Sequence, residues 1–342
     1  MLTKKNFVVI LNETHEFATK GENVSFMKGN KILVVGAGAI GGYFGACLYR
    51  AGLDVTFLVR RQTYIKISKD GLSVKSHLGD FVVYPPLIQQ GSEMSFVDLI
   101  ILSMKCYDLQ ETLEQIAPLV ASGATVLTLQ NGVDSEERVL AYFKKDCVVA
   151  GVVYITARLA ETGLIEHFRR GTISLGERSG EQSERAAKIH TLISQAKIPC
   201  HLTQQILKEK WEKLCWNATF NPLSVILDQP LSLILQSHEL REIVQQGIRE
   251  IISVAAAEKI FLHLDIIEDT IAVTHALQDH YTSMYEDYKN GNKTEIEHLN
   301  GDIVRRGEKY GIPTPVNKTL YCLIKGLELK RRHLVERGGG SV

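Results

Sequence analysis

Lys213, Asn217 and Asn221 follow one another at intervals of four residues. On an α-helix that spacing lines the three side chains up in one stripe. One ammonium and two amides in line can donate several hydrogen bonds to a carbonyl oxygen and a carboxylate, with the lysine available as a proton donor. A solvated stripe carrying an ordinary lysine would show the same spacing, and spacing alone leaves both readings open. Trp211, Leu214, Cys215 and Ala218 fall together on the side expected to pack. Pro222 disfavours helical conformation at the residue before it, which predicts a helix end or kink at Asn221.

A second chemical signal is Gly36-Ala37-Gly38-Ala39-Ile40-Gly41, a GxGxxG pattern. The pattern alone is weak, but here it follows an apolar strand and opens a helix, the context that makes it a dinucleotide loop. Gly36 would allow the tight turn, Gly38 the approach of a pyrophosphate to the backbone, and Gly41 close packing of helix on strand. The helix N-terminus offers unpaired N–H groups to phosphate. Enzymes that use NAD place an acidic residue at the end of the next strand to hold the ribose hydroxyl. That strand ends here in Leu58-Val59-Arg60-Arg61, with Asp54 at its opposite end. Arg60 suits a 2′-phosphate, because guanidinium pairs with phosphate through two parallel hydrogen bonds. The expected cofactor is therefore NADPH/NADP+; the plainer alternative is a pair of solvated surface charges.

The elements that must position these residues change character along the chain. Apolar runs at residues 31–35, 98–102, 125–129 and 147–153, with a second strand at 54–59, alternate with helical patterns at 39–51 and 107–120, and Val74 with Phe81–Tyr84 reads as a hairpin. Such alternation predicts βαβ units and a mostly parallel sheet, and runs that are apolar throughout suit strands buried on both faces. From about residue 205 only helical periodicity remains, at 205–221, 237–259, 265–288, 293–310 and 315–332. The expected organisation is an N-terminal extension (1–30), an NADP-binding Rossmann domain (31–204), an all-helical substrate and catalytic domain (205–333) and a tail (334–342). Met27, four residues before the first convincing strand, is a candidate natural start.

Composition narrows the function classes. The 342 residues are 45% hydrophobic and 23% charged, with 39 basic and 39 acidic side chains. A nucleic-acid binder usually carries a basic excess, so that class is disfavoured. The apolar run Phe7–Leu11 is too short for a signal peptide, and no stretch approaches a membrane span. Six scattered cysteines, without CxxC pairs or histidine spacing, predict reduced thiols in a cytoplasmic protein, with no disulfide framework and no metal site. The oligomeric state is open, a homodimer being one option.

Taken in order, the loop Gly36–Gly42, Met104-Lys105, Gln130-Asn131-Gly132, Lys213-Leu214-Cys215-Trp216-Asn217 with Asn221-Pro222-Leu223, Thr282-Ser283-Met284, and Thr294-Glu295-Ile296 with Asn300-Gly301 resemble the ketopantoate reductases (2-dehydropantoate 2-reductases). The resemblance runs from about Lys31 to about residue 330. It implies a Rossmann-type doubly wound parallel sheet followed by an all-α domain like the C-terminal domain of 6-phosphogluconate dehydrogenase. It implies NADPH-dependent reduction of 2-dehydropantoate to (R)-pantoate on the route to pantothenate and coenzyme A. By the same resemblance Lys213 is the general acid at the C2 oxygen and Glu295 a catalytic residue that engages substrate oxygens and borders the cofactor. Asn131, Asn217, Asn221 and Ser283 match substrate-binding positions. Gly36, Ala37, Gly38, Ala39, Ile40, Gly41, Arg60, Lys105 and Asn131 match the cofactor site. Without the resemblance, Lys105, Ser283 and Asn131 would read as a surface lysine, a helix-cap serine and a turn asparagine.

One position departs from the family. His280 stands where asparagine is frequent. It could donate to a substrate oxygen in the amide's place, admit a different 2-keto acid, or be a partly buried helix histidine. Two rival functions follow: reduction of another small 2-keto acid on the same fold, and non-catalytic NADP(H) sensing. The joint presence of Lys213, Asn217 and Glu295 speaks against the sensor, which needs no proton donor.

Overall fold

The structure, a computed structural model, describes residues 30–144, 146–275 and 280–338. The expected extension before Asn30 and residues 339–342 of the tail lie outside the described residues. The described residues divide into two compact units: one holds residues 30–130 together with Ser135–Ile206, the other Asn131–Asp134 and residues 207–338.

The first unit is built on one sheet. Its strands are β1 (Lys31–Val35), β2 (Asp54–Leu58), β3 (Leu72–Ser76), β4 (Phe81–Val83), β5 (Leu87–Ile88), β6 (Leu99–Leu102), β7 (Thr125–Thr128), β8 (Val148–Glu161), β9 (Leu164–Gly176) and β10 (Cys200–Leu202). Their order is β4-β3-β9-β8-β7-β6-β1-β2-β5, with β10 also paired to β9. The run from β5 to β8 is parallel throughout, a doubly wound Rossmann arrangement. β1 from Ile32 onward and β6 throughout read as uninterrupted apolar runs because both faces are covered. Ile32 and Val34 enter one core with Phe44 and Phe57, while Leu33 and Val35 enter another with Ile100 and Leu102.

Beyond β7 the sheet departs from what periodicity alone indicated. β8 runs on to Glu161, turns at Gly163 (φ +84°) and returns antiparallel as β9. The near half of β9 pairs with β3 and its far half with β10, both parallel. The apolar run at 147–153 marked only the start of this 14-residue strand. The remainder passes from half-buried to exposed and carries Thr156, Arg158 and Glu161, so no continuous apolar run extends over it.

Helices α1 (Ala39–Arg50), α2 (Arg61–Asp70), α3 (Leu109–Ala121), α4 (Ser135–Phe143) and α5 (Glu184–Gln195) complete this unit. In the second unit, α6 (Ile206–Leu227), α7 (Leu231–Ile234), α8 (His238–Ala257), α9 (Ile266–His275), α10 (Ser283–Lys289), α11 (Asn300–Tyr310) and α12 (Pro315–Gly338) enclose a core that includes Trp211, Leu214, Phe220, Ile248 and Ile303. Three boundaries differ from the periodicity. The 265–288 pattern covers two helices, because Thr282 starts a new one by accepting a hydrogen bond from Tyr285 N. The 293–310 pattern is a 3₁₀ turn (Ile296–His298) and then α11, parted at Leu299, which has non-helical backbone angles. α6 continues through Pro222 to Leu227 instead of ending at Asn221. A proline leaves the carbonyl four residues earlier without its helical donor. Here that carbonyl, Ala218 O, accepts from Asn300 Nδ2 at 2.7 Å. Among the described residues no helix is long and apolar enough to cross a membrane.

The sheet sets the geometry of the glycine loop. Val35 pairs with Leu58 on one side and Leu102 on the other, so Gly36, Arg60 and Ser103–Lys105 all emerge at the carboxyl edge where the winding reverses. Ser103 Oγ donates to Val35 O at 2.9 Å, closing β6 onto the end of β1. A Cβ on Gly41 would collide with Ser103 Oγ and with the Gly36 carbonyl, whereas one on Gly38 would meet nothing within 4 Å. Gly41→Ala should therefore destabilise the protein by about 1–3 kcal/mol in urea unfolding, and Gly38→Ala should leave the unfolding midpoint where it is.

Candidate active site

Asn131 is the centre of a hydrogen-bonded cluster in the helical unit. Lys213 Nζ donates to Asn131 Oδ1 at 2.9 Å, and Asn217 Nδ2 lies 3.5 Å from the same oxygen. Asn131 Nδ2 in turn donates to Glu295 Oε2 at 3.4 Å. One amide thus accepts from the cation and donates to the anion. The i, i+4 spacing on α6 places Lys213 and Asn217 on the same side, as the stripe predicted.

Local chemistry explains why Asn131 and Glu295 meet. Gly132 takes φ +84°, and a Cβ there would come within 2.6 Å of His298 O. Val133 is buried in the helical core. Asp134 Oδ2 accepts from His298 Nδ1 at 2.9 Å. His298 closes the 3₁₀ turn that Glu295 opens, its own N–H bonding Glu295 O at 2.9 Å. On the other side of Glu295, Thr294 donates through N and Oγ1 to the buried Glu328 Oε1 at 2.9 and 2.7 Å. Glu295 is therefore clamped from both chain directions.

Burial shapes the protonation of the cluster. Lys213 keeps part of its surface open, yet enough protein surrounds its ammonium for desolvation to be the largest influence. Desolvation and the nearby Lys210 pull its pKa down to about 8, against the opposing pull of Glu295. Lys210 is itself buried. Sequence reasoning passed over it, although its place three residues before Lys213 on a helix was the available signal. The Asp134–His298 pair carried no such signal, being 164 residues apart.

The other expected site residues fall as follows. Asn217 and Asn221 are both buried, and Asn221 Oδ1 has no hydrogen-bond partner. Ser283 is exposed on the first turn of α10, outside the hydrogen-bonded cluster. His280 accepts from Leu231 N through its backbone carbonyl at 3.0 Å, just before that helix.

Apart from Asn131 and Glu295, which belong to the helical unit, the cofactor candidates lie in the sheet unit. Gly36 has φ +91°, Gly38 caps α1 without any side-chain hydrogen bond, and the first turn of α1 has no acidic residue. Ala37, Ala39 and Ile40 complete this loop, which offers a phosphate room above Gly38 and no opposing charge in the helix's first turn. Arg60 is 76% exposed and pairs with Asp108 at 2.8 Å. Such an exposed pair is weak, so it leaves the guanidinium available to a stronger anion. Lys105 starts the 3₁₀ turn Cys106–Asp108, half-buried at the same sheet edge. The residues present thus fit a phosphorylated dinucleotide.

One titrating neighbour provides a check on this environment. Burial, with Glu209 and Asp269 nearby, raises the Glu212 carboxyl to about 7 against the pull of Lys208. A raised carboxyl pKa means the native state binds the extra proton, and the stability tied to that proton is lost as pH rises through about 7. Urea midpoints of wild type and Glu212→Gln should therefore diverge in favour of the variant between about pH 5 and about pH 8. Parallel midpoints across that window would contradict the assigned environment.

Comparison with known proteins adds lineage to this geometry. Residues 32–180 match the family Ketopantoate reductase PanE/ApbA, and residues 205–328 match Ketopantoate reductase PanE/ApbA C terminal. Uncharacterized oxidoreductase YkpB of Bacillus subtilis is 30% identical over 303 residues, spanning 88% of this chain and 100% of the relative. The crystal structure of 2-dehydropantoate 2-reductase from Geobacter metallireducens superposes with a TM-score of 0.82 at 34% identity, covering 86% of this chain and 99% of that one. The ternary structure of D-mandelate dehydrogenase with NADH and anilino(oxo)acetate superposes with a TM-score of 0.81 at 29% identity, covering 88% and 99%.

Proposed function

The chain belongs to the ketopantoate reductase family, and on that premise we propose that it reduces 2-dehydropantoate to (R)-pantoate with NADPH, in the route to pantothenate and coenzyme A. The observation that carries this reading is the Lys213–Asn131–Glu295 cluster, with a lysine whose pKa is about 8.

The Gly36–Gly41 loop, Arg60 and Lys105 would hold NADPH, which would supply the hydride for the substrate's C2. Negative charge then develops on the C2 oxygen, and a preorganised cation is the strongest local means of stabilising it. Lys213 Nζ donates its proton to that oxygen. With a pKa near 8 it is mostly protonated at neutral pH yet releases the proton far more readily than an ordinary lysine. Asn131 holds the ammonium in direction through its 2.9 Å hydrogen bond, and Glu295 holds its charge. Asn217 and Ser283 supply donors for the substrate carboxylate. Asn221 Oδ1, a buried acceptor without a partner, suits a substrate that carries a hydroxyl, as 2-dehydropantoate does and pyruvate does not.

A second reading, reduction of a different 2-keto acid, is favoured by His280 and by the likeness to D-mandelate dehydrogenase. The deciding experiment is NADPH oxidation with 2-dehydropantoate, pyruvate, 2-oxoisovalerate and oxaloacetate. Turnover of 2-dehydropantoate alone is expected, reduced ~100-fold or more in Lys213→Ala; preference for another of the four acids transfers the assignment to that acid. Because the protonated lysine is the active form, kcat/KM should fall as pH rises through about 8. Lys210→Gln, which removes the like charge, should move that limb to higher pH; an unmoved limb would separate Lys213 from the proton transfer.

Coenzyme preference has its own check. Arg60→Ala should raise KM for NADPH about tenfold, the loss of one charge-assisted hydrogen bond, and leave KM for NADH unchanged. An equal effect on both coenzymes would remove Arg60 from 2′-phosphate recognition.

A further inference from the structure

α6 carries its chemistry on either side of an irregularity. Pro222 sits inside the helix, with Asn221 directly before it and Asn217 one turn earlier. A proline ring supplies no N–H and crowds the carbonyl four residues back, which is that of Ala218. A second local perturbation lies beside it: Thr219 Oγ1 donates to Cys215 O at 2.7 Å, a back-bond of the kind that bends helices.

The released carbonyl is caught from outside the helix. Asn300, fully buried at the start of α11, donates through Nδ2 to Ala218 O at 2.7 Å and to Asn317 Oδ1 at 3.1 Å. Asn317, equally buried on α12, donates through Nδ2 to Gly247 O at 3.1 Å and Glu250 Oε2 at 2.8 Å. The Glu250 carboxylate also accepts from Val316 N at 2.9 Å and Asn317 N at 3.0 Å. A chain of buried polar contacts thus runs from α8 and the first turn of α12, through Asn300, to the one turn of α6 that separates Asn217 from Asn221.

An alanine at position 222 would satisfy Ala218 O with its own N–H and make the amide of Asn300 unnecessary there. Keeping three buried polar side chains instead is costly unless the altered helix itself has a use. Resting on the reading of α6 as the catalytic helix, we propose that Asn300 is a positioning residue. By holding the carbonyl that Pro222 releases, it sets the local course of α6 between Asn217 and Asn221 and thereby aims both amides relative to Lys213.

The test compares Asn300→Ala, Pro222→Ala and the double variant with wild type, by urea unfolding and by KM and kcat for 2-dehydropantoate and NADPH. Asn300→Ala should lower the unfolding midpoint. The double variant should regain it, because the backbone N–H restored at position 222 bonds Ala218 O. KM for 2-dehydropantoate should stay raised about tenfold or more in the double variant, with KM for NADPH unchanged. Recovery of both stability and substrate KM would reduce Asn300 to a purely structural role. Pro222→Ala retains the whole polar chain, so it remains informative if Asn300→Ala does not fold. Its crystal structure should show Asn217 Nδ2 displaced from its 3.5 Å position beside Asn131 Oδ1, and an undisplaced amide would overturn the proposal. That structural readout needs no turnover, so it stands apart from the substrate assignment, which falls if wild type reduces no keto acid.

Discussion

A lysine ammonium and a glutamate carboxylate enclosed in the same helical unit attract each other, and the side-chain amide of Asn131 stands between them. Its oxygen accepts from Lys213 and its nitrogen donates to Glu295. An amide in this place keeps both charges apart while it orients each. Without the opposite charge, burial and Lys210 would drive the lysine further toward its neutral form. Without burial, it would hold its proton about as tightly as an ordinary lysine. The pKa near 8 is the balance of these opposing effects.

Much of the helical unit serves to keep that balance. Two buried carboxylates act as backbone anchors: Glu328 takes both donors of Thr294, and Glu250 takes the first N–H groups of α12. Charges are expensive to bury unless hydrogen-bonded; here each has its donors, and each fixes an element next to the cluster. Glu328 secures the residue before Glu295. Glu250 secures Asn317, and through Asn300 the turn of α6 that carries Asn217 and Asn221. The residues assigned to chemistry are few, and the polar contacts that hold them are buried and mutually dependent.

The sheet unit leaves backbone uncovered at the loop that follows β1. Its device is the absence of side chains. Gly41 lets α1 close onto the ends of β1 and β6, and Gly38 leaves open space at the cap. The second strand then presents Arg60 at the same edge, where a carboxylate would select against phosphate.

Local signals in the sequence determined a good deal by themselves. Largely apolar runs revealed β1, β6 and β7, since strands covered on both faces carry few polar positions. The glycine spacing located the loop, and the four-residue intervals on α6 aligned Lys213, Asn217 and Asn221, because helical geometry is local. The antiparallel return of β9 escaped, being half-exposed and without a continuous run. So did the continuation of α6 through Pro222, which depends on an amide 78 positions away from that proline. Only the tertiary structure decided that Asn131 belongs to the helical unit and joins Lys213 to Glu295, and that Lys210 and burial together depress the lysine's pKa. Those facts rest on charge, desolvation and hydrogen bonding between residues as much as 164 positions apart, and such interactions leave no periodicity for a sequence to display.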